Sequence, residues 1–133
     1  MKHIFNVIII STCLACINGR ALAQATQDEV YSVYDVAPQF PGGQDAMLKF
    51  LANNLIYPDI AKEENKQGTI YITFVVEKDG SISGIKILRG VSPALDQEAL
   101  RVVQKMPKWK PGKVAGQIVR CQYNLPIKFK LSD

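Results

Sequence analysis

After Gly68, apolar side chains recur at every second position as far as Val76, which is the period of a β-strand. Both faces of this segment are largely apolar, so we predict a strand in the middle of a sheet. The Asp79-Gly80 pair that follows is typical of a hairpin turn, and a second β-rich run occupies Ile82–Arg89. We therefore expect the two strands to pair antiparallel.

Two other segments place apolar residues three and four positions apart, which is the period of an amphipathic helix. The first helix is predicted over residues 44–53. The second begins at Ser92, a favourable N-cap residue, and Pro93 follows in its first turn. Its apolar face is formed by Leu95, Ala99, Val102, Val103 and Met106. A short helix is expected after Pro58, and a long final strand is expected over residues 117–131.

These elements predict an α+β fold with a three-stranded mixed sheet and two main helices on one face. The strand from Ile82, the second long helix and the final strand form a βαβ unit, whose two strands should run parallel. The strand from Gly68 then lies between them, which leaves residues 117–131 at an edge. Pro126 agrees, because proline within a sheet is confined to edges, strand starts and bulges. Residues 30–36 are predicted to form a further short strand.

The first residues have the three parts of a secretory signal peptide. Lys2 supplies a positive charge, residues 4–17 form an apolar run, and small residues lead to an expected cleavage site after Ala23. A helix of that run would rise only about 21 Å, at ~1.5 Å per residue, whereas a hydrocarbon core measures about 30 Å. We expect a cleaved signal; the alternatives are a retained membrane anchor and a lipoprotein modified at Cys16.

Cleavage would divide the chain into a signal peptide (residues 1–23), a leader (residues 24–33) and one domain (residues 34–133). The length of the domain suits a single hydrophobic core. Charge is unevenly placed, since residues 28–79 carry nine acidic and four basic side chains, and residues 86–130 carry ten basic and two acidic ones. We therefore expect a basic surface on the second half.

The chain beyond the expected signal peptide holds few groups for catalysis or metal binding. The one histidine, His3, and two of the three cysteines precede the cleavage site, which leaves Cys121. No serine lies in a nucleophile-elbow pattern, and a zinc site needs more histidines or cysteines than remain. We expect no enzyme activity, no cofactor and no metal site, and we interpret Cys121 as a small buried residue of the final strand.

A basic stretch with one aromatic residue surrounds Trp109. Its lysines are Lys105, Lys108, Lys110 and Lys113. Such a patch can bind nucleic acid, but export of the protein argues against that partner. We interpret Trp109 instead as a buried anchor at the corner between the second long helix and the final strand, with the lysines solvated around it.

Several motifs together resemble the TonB C-terminal domain family. They are Tyr57-Pro58, Gly68 at the start of an alternating strand, Asp79-Gly80, Leu95-Asp96 with Glu98-Ala99-Leu100, and Met106-Pro107-Lys108-Trp109-Lys110-Pro111-Gly112-Lys113. The resemblance covers residues 57–131, and the last of these motifs is specific. Upstream, Phe40-Pro41-Gly42-Gly43 and the helix that follows are similar to the form of this domain that is common in Bacteroidetes.

The resemblance implies a function in energised transport across the outer membrane. Domains of this family bind, in the periplasm, the TonB-box peptide of an outer-membrane receptor, and they add it as a strand beside their own last strand by β-augmentation. Carried over to this chain, that strand is the predicted final one. The partner-binding residues are then expected to be Tyr57, Arg120, Gln122, Tyr123 and Asn124. Arg120 would favour acidic residues in the partner, and Tyr57 is expected to line the same end.

Two features of the family's transducers are not matched. His3 precedes the apolar run, so it does not correspond to the histidine of the family's membrane anchor. Residues 24–35 would span at most about 43 Å when fully extended, which is too short for the family's long spacer. We therefore expect a periplasmic protein-binding domain, without membrane insertion of the mature chain and without a nucleic-acid partner.

Three alternatives remain open. The domain could serve as a cell-envelope adaptor, or as the partner of a sensor, and bind a different protein at the same edge. The chain could also form a homodimer. Finally, Pro126 and the basic residues near it could guard the edge against aggregation, a function that is compatible with binding.

Overall fold

The computed structural model describes residues 29–131, and within this range the chain forms three helices and five strands. The helices are α1 (Gln44–Asn54), α2 (Asp59–Glu63) and α3 (Pro93–Gln104). The strands are β1 (Val30–Tyr31), β2 (Gly68–Val76), β3 (Ile82–Arg89), β4 (Gly112–Val114) and β5 (Gln117–Phe129). The expected signal peptide, with His3 and Cys16, lies outside the described residues.

The three longer strands form the sheet that the sequence predicts. β2 lies between β3 and β5 and pairs antiparallel with both, so β3 and β5 run parallel. Pairing of β2 with β5 continues without interruption from Gly68 opposite Phe129 to Val76 opposite Cys121. Pairing with β3 contains two register shifts, and Gly84 within β3 has a φ of 58°. The β3 edge is therefore irregular, whereas β5 is regularly paired.

The outer side of β5 is covered at its start, so the prediction of a free edge along the whole final strand is wrong there. β1 pairs parallel with β5, with Val30 opposite Arg120 and Tyr31 opposite Cys121. The order of the strands is β1-β5-β2-β3. Beyond Cys121, no strand in residues 29–131 pairs with β5 on the side away from β2.

Two short strands differ from the prediction. β4 was not predicted. It pairs antiparallel with the start of β5, and a turn at Ala115 and Gly116 joins the two strands. The φ angles of these two residues, 51° and 78°, suit a tight hairpin. The strand predicted over residues 30–36 is shorter than expected. After β1 the chain crosses towards β4, where Val36 N donates to Lys113 O at 3.1 Å.

Helices α1 and α3 share one hydrophobic core with the sheet, as predicted. The sheet contributes Ile70, Ile72, Phe74, Val76, Leu125, Ile127 and Phe129. The helices contribute Met47, Leu51, Leu95, Ala99, Val102 and Val103. The expected N-cap of α3 is present, since Ser92 Oγ accepts a hydrogen bond of 3.4 Å from Leu95 N. The core side of β5 therefore packs in the same core as the helices.

Trp109 is buried between α3 and β4, with 4% of its surface exposed, which confirms its prediction as a corner anchor. Its ring contacts three other rings at centroid distances of 5.8 Å (Phe40), 5.4 Å (Phe74) and 4.9 Å (Tyr123). Edge-to-face contacts of this kind stabilise an aromatic cluster beyond the burial of its area. The cluster fixes Tyr123 of β5 against the segment that precedes α1.

The other face of the sheet carries exposed apolar side chains. Tyr71 is 42% exposed there and Leu88 is 58% exposed. Thr73 lies on the same face but is only 3% exposed, because Gln122 covers it and donates from Nε2 to Thr73 Oγ1 at 3.0 Å. The side chain of Gln122 is therefore held on the sheet surface beside the edge of β5.

Candidate functional site

The outer row of backbone groups on β5 can be identified from two hydrogen bonds. Thr73 Oγ1, on β2, donates to Tyr123 O at 3.3 Å, so this carbonyl faces β2. Tyr34 OH, on the other side, donates to Gln122 O at 3.2 Å. Because neighbouring residues of a strand direct their backbone groups to opposite edges, Asn124 and every second residue after it face outwards, like Gln122.

The outward row from Asn124 onwards offers hydrogen-bonding groups to an added strand. It consists of the N–H and C=O of Asn124, the C=O of Pro126, and the N–H and C=O of Lys128. Pro126 fits this row, because its missing N–H removes no bond to β2. Within residues 29–131, no other strand pairs with these groups. This part of β5 is the candidate site.

A shallow groove of about 530 Å³ lies beside the first residues of this row. Its lining residues are Ser32, Tyr34, Leu88, Gln122, Tyr123 and Asn124. Three of them, Gln122, Tyr123 and Asn124, are residues that the sequence predicts as partner-binding. Burial raises the pKa of the Tyr34 phenol, and nearby Cys121 and Tyr123 add to this effect. Tyr34 therefore stays protonated at neutral pH and keeps its hydrogen bond to β5.

The sequence did not identify Tyr34, Ser32 or Leu88 as parts of this groove. Tyr34 and Gln122 are 88 positions apart, and no local pattern links them. Leu88 comes from β3, on the far side of β2. No sequence signal pointed to Leu88, because its exposure of 58% is known only from the structure.

Arg120 lies in the part of β5 that β1 covers, four residues before the candidate site, and its side chain is engaged by Glu77. Arg120 Nε is 2.7 Å from Glu77 Oε1, and Arg120 Nη2 donates to Glu77 Oε2 at 3.1 Å. Ser83 Oγ also donates to Glu77. The hydrogen bond from Arg120 is the main cause that lowers the pKa of Glu77, so the carboxylate is charged at neutral pH. An acidic residue of a partner would have to compete with Glu77 for Arg120.

Tyr57 is separated from the other four predicted site residues, so the expectation that it lines the same end is wrong. Its ring lies 5.4 Å from that of Phe129, and its hydroxyl donates to Lys66 O. Phe129 ends β5, and at ~3.3 Å per residue it lies about 20 Å from Tyr123. The reason is that the connection between α1 and α2 packs on the far end of β5.

A second cavity, of about 340 Å³, lies beside Tyr123 among the residues that precede and begin α1. Exposed Gln39 and Gln44 line it together with buried Phe40, Met47 and Trp109. We call it the Trp109 cavity. Gly43 N donates to Phe40 O at 2.8 Å, and Gly42 and Gly43 have φ angles of 91° and 89°. These glycines allow the tight turn that directs Phe40 inwards and starts α1.

The remaining candidate groups are structural. Cys121 is buried on β5, as predicted, and burial raises the pKa of its thiol. No group of three metal-binding side chains occurs in the part of the chain that the structure describes. In the same range, the helices are too short or too polar to cross a membrane.

Comparison with known proteins gives a family and a fold. The family model described as Gram-negative bacterial TonB protein C-terminal matches residues 53–131. Two solution structures of the Helicobacter pylori TonB C-terminal domain have a similar fold. The structure of the shorter segment has a TM-score of 0.51 and 21% sequence identity, and the match covers 67% of this chain and 94% of that chain. The structure of the longer segment has a TM-score of 0.50 and 22% sequence identity, and the match covers 70% of this chain and 88% of that chain. No curated protein sequence matches the chain.

Proposed function

We propose that this chain, which belongs to the TonB C-terminal domain family, binds an extended peptide of a partner protein along the outward row of β5. The family in general takes part in TonB-dependent transport and interacts with the TonB box of outer-membrane receptors. The TonB box of such a receptor is therefore the partner that we assign. The domain would act as a protein-binding module, without catalysis.

The observation that carries this proposal is the outward row of Asn124, Pro126 and Lys128 beside a groove. An unpaired row of backbone groups is a template for an added strand, and pockets beside it select side chains. The opposite edge of the sheet is a poorer template. Register shifts in β3 and the left-handed Gly84 interrupt its row, as bulges do at protected edges.

The periplasm is the location that we propose for this binding. The signal peptide predicted for residues 1–23 would export the chain, and the folded domain would then include β1 as well as residues 34–131. β1 lies within residues 24–33, the segment assigned to the leader, and it covers the start of β5. A bound peptide would accordingly begin its pairing at Asn124, next to Tyr34.

A titration of the labelled exported chain with TonB-box peptides tests the proposal. We expect the amide signals of Asn124 and Lys128 to shift and to gain protection from hydrogen exchange, because their N–H groups face outwards. The N–H groups of Tyr123 and Leu125 face β2, so their protection should be high already and change little. Shifts on α1 and α3 instead, or none at saturating peptide, would contradict the proposal and favour another envelope partner.

A pair of variants at one position separates backbone pairing from side-chain contact. Asn124→Pro removes an outward N–H and, like Pro126, leaves the pairing with β2 intact. Asn124→Ala keeps that N–H and removes the side chain. We expect Asn124→Pro to weaken peptide binding about tenfold, since a hydrogen bond is worth about 1 kcal/mol and the added strand also loses its close approach. Asn124→Ala should bind within about threefold of the unchanged protein.

A further inference from the structure

We infer that the open face of the sheet, the face away from the helices, binds an acidic segment of the partner protein that supplies the bound strand. Lys86 and Arg89 of β3 and Lys128 of β5 contact the carboxylates of that segment. This inference rests on the proposed function, because the bound strand brings the segment to the sheet. It adds to the outward row of β5 a second contact, which selects the partner by charge.

The three long strands carry basic side chains and no acidic ones. β2, β3 and β5 contain no aspartate or glutamate, and their four basic residues are Lys86, Arg89, Arg120 and Lys128. Arg120 is engaged by Glu77. The other three are exposed and form no ion pair with any residue of the described range 29–131. Cross-strand pairs of opposite charge stabilise a sheet, and this sheet has no anion of its own to pair with them.

The strand register places these three basic residues on one face. They pair with neighbouring positions of β2: Arg89 with Tyr71, Lys86 with Thr73 and Lys128 with Thr69. Positions 69, 71 and 73 alternate with the core residues Ile70 and Ile72, so they point away from the helices. From the strand spacing, the Cα atoms of Arg89 and Lys128 lie roughly 12 Å apart, which about four extended residues can span.

A groove of about 370 Å³ lies on this face beside Tyr71, which is 42% exposed. Its lining residues are Thr69, Tyr71, Arg89, Gly90 and Val91. Three of these side chains donate hydrogen bonds, and none is a carboxylate. The guanidinium of an arginine binds a carboxylate with two parallel hydrogen bonds, which makes Arg89 the strongest donor of the groove.

Asp96 of α3 is the acidic residue that contacts this region from within the chain. Its Oδ1 accepts a hydrogen bond of 2.9 Å from Val91 N, and it lies close to Gly90. It forms no ion pair with Arg89 among the residues that the structure describes. Asp96 therefore holds the backbone that follows β3, and Arg89 keeps its charge for a partner.

The partner chain can reach the groove from the outward row of β5. That row ends at Lys128, which pairs with Thr69 at the edge of the groove. A chain that leaves the row there has to cross β5 and β2, a distance of about 10 Å, to reach Arg89. About three extended residues cover this distance. Acidic residues that directly adjoin the TonB box would therefore lie over the three bases.

Two forms of a TonB-box peptide test the inference, one extended by three glutamates and one by three glutamines. Each terminus is extended in turn, and the terminus that lies beside Lys128 should respond. There we expect the glutamate form to bind about tenfold more tightly at low salt, since one exposed ion pair gives a factor of about 1.4–5. At about 1 M salt, where the Debye length is about 3 Å, the two forms should bind within about twofold. The amide signals of Arg89 and Gly90 should shift with the glutamate form alone.

Charge variants of the full chain separate a local contact from the attraction of the net charge. In the double variant Lys86→Gln with Arg89→Gln, the preference for glutamate should fall to within about twofold. Lys49→Gln is the matched control, because Lys49 is an exposed lysine of α1, on the helix side of the sheet. It should leave the preference intact. The same loss per charge in the control would overturn the inference.

The outcomes distinguish this inference from the proposed function. If Asn124 and Lys128 shift with every peptide but glutamate gives no advantage at either terminus, the inference is overturned and the proposed function stands. The inference is also overturned if phosphatidylglycerol vesicles, rather than the glutamate form, shift Arg89 and Gly90, because the face then binds an anionic membrane. If no peptide shifts the β5 amides, the proposed function fails and the inference fails with it.

Discussion

The backbone N–H of Trp109 donates a hydrogen bond of 2.8 Å to the carbonyl oxygen of Gly80. The contact joins the hairpin turn between β2 and β3 to the segment that follows α3. Gly80 has a φ of 91°, and a Cβ atom on it would lie 2.2 Å from Trp109 O. The Asp79-Gly80 turn and the stretch around Trp109, which both contribute to the family resemblance, therefore pack directly against each other.

Gly80→Ala should lower the free energy of unfolding by about 1–3 kcal/mol from its left-handed backbone alone, and further because of the clash with Trp109 O. Gly116→Ala is the matched control, because Gly116 has a φ of 78° but no atom within 4 Å of the added Cβ. Urea denaturation of both variants measures the two losses. Equal losses would mean that the Trp109 segment moves aside at no cost.

Truncation of Trp109 to alanine should lower the free energy of unfolding by about 3–5 kcal/mol, because it opens a cavity among Phe40, Phe74 and Tyr123. That loss is a large share of the typical stability of about 5–15 kcal/mol. Trp109→Phe should lose less, since it keeps part of the ring contacts. Thermal and urea unfolding measure both variants; an unchanged midpoint in Trp109→Ala would contradict the buried position.

The ion pair between Glu77 and Arg120 should make stability depend on pH. The pKa of Glu77 in the folded chain is lowered, so its contribution is present above the ordinary value of 4.5 and is lost as pH falls through the folded-state pKa. Both side chains are partly exposed, so we expect only ~0.2–1 kcal/mol at neutral pH.

Glu77→Gln provides the measurement of this effect. The difference in free energy of unfolding between the unchanged protein and the variant should be greatest at pH 6–7, where we expect ~0.2–1 kcal/mol for a partly exposed pair. It should shrink as the pH falls below about 4.5 and reach its minimum once Glu77 is protonated in both the folded and the unfolded chain. A difference that stays constant down to about pH 2 would show that charge is not the cause.

Glu98 connects α3 to the segment between α1 and α2. It accepts hydrogen bonds from Ile56 N at 2.7 Å and from Arg101 Nη2 at 2.7 Å, and Arg101 Nη2 donates to Asn54 O at 2.8 Å. Glu98→Ala should cost about 1–3 kcal/mol and speed hydrogen exchange at Ile56. Glu98→Gln keeps an acceptor and should cost less. Unchanged exchange at Ile56 in the alanine variant would refute the connection.

Export should remove residues 1–23, because the charged start, the short apolar run and the small residues before the cleavage site match a signal peptide. Intact-mass measurement of the protein recovered from the cell envelope tests this. The expected mass is that of a chain beginning at Gln24. A mass that includes residues 4–17 would support a membrane anchor, and a lipid adduct on Cys16 would support a lipoprotein.

Much of the fold follows from local sequence patterns. The alternation after Gly68 determines β2, and the apolar period with Ser92 as N-cap determines α3. The handedness rule for the βαβ connection, together with the hairpin between β2 and β3, then predicts the order β3-β2-β5 in the sheet. Each of these signals depends on residues close together in the chain or on a general rule of topology. The position of Trp109 at a buried corner was likewise predictable, because it is a large apolar residue between prolines that end a helix.

The details of the site depend on contacts that only the tertiary structure decides. The pairing of β1 with Arg120 and the hydrogen bond from Tyr34 to Gln122 join residues about 90 positions apart, where no periodicity connects them. Glu77 could be identified as the partner of Arg120 only from the pairing of β2 with β5. The position of Tyr57 beside Phe129 depends on where the connection between α1 and α2 packs, so the sequence placed Tyr57 at the wrong end of β5. A period in the sequence determines which face of an element is buried. Which distant side chains meet at its edge is determined by the packing of the whole chain.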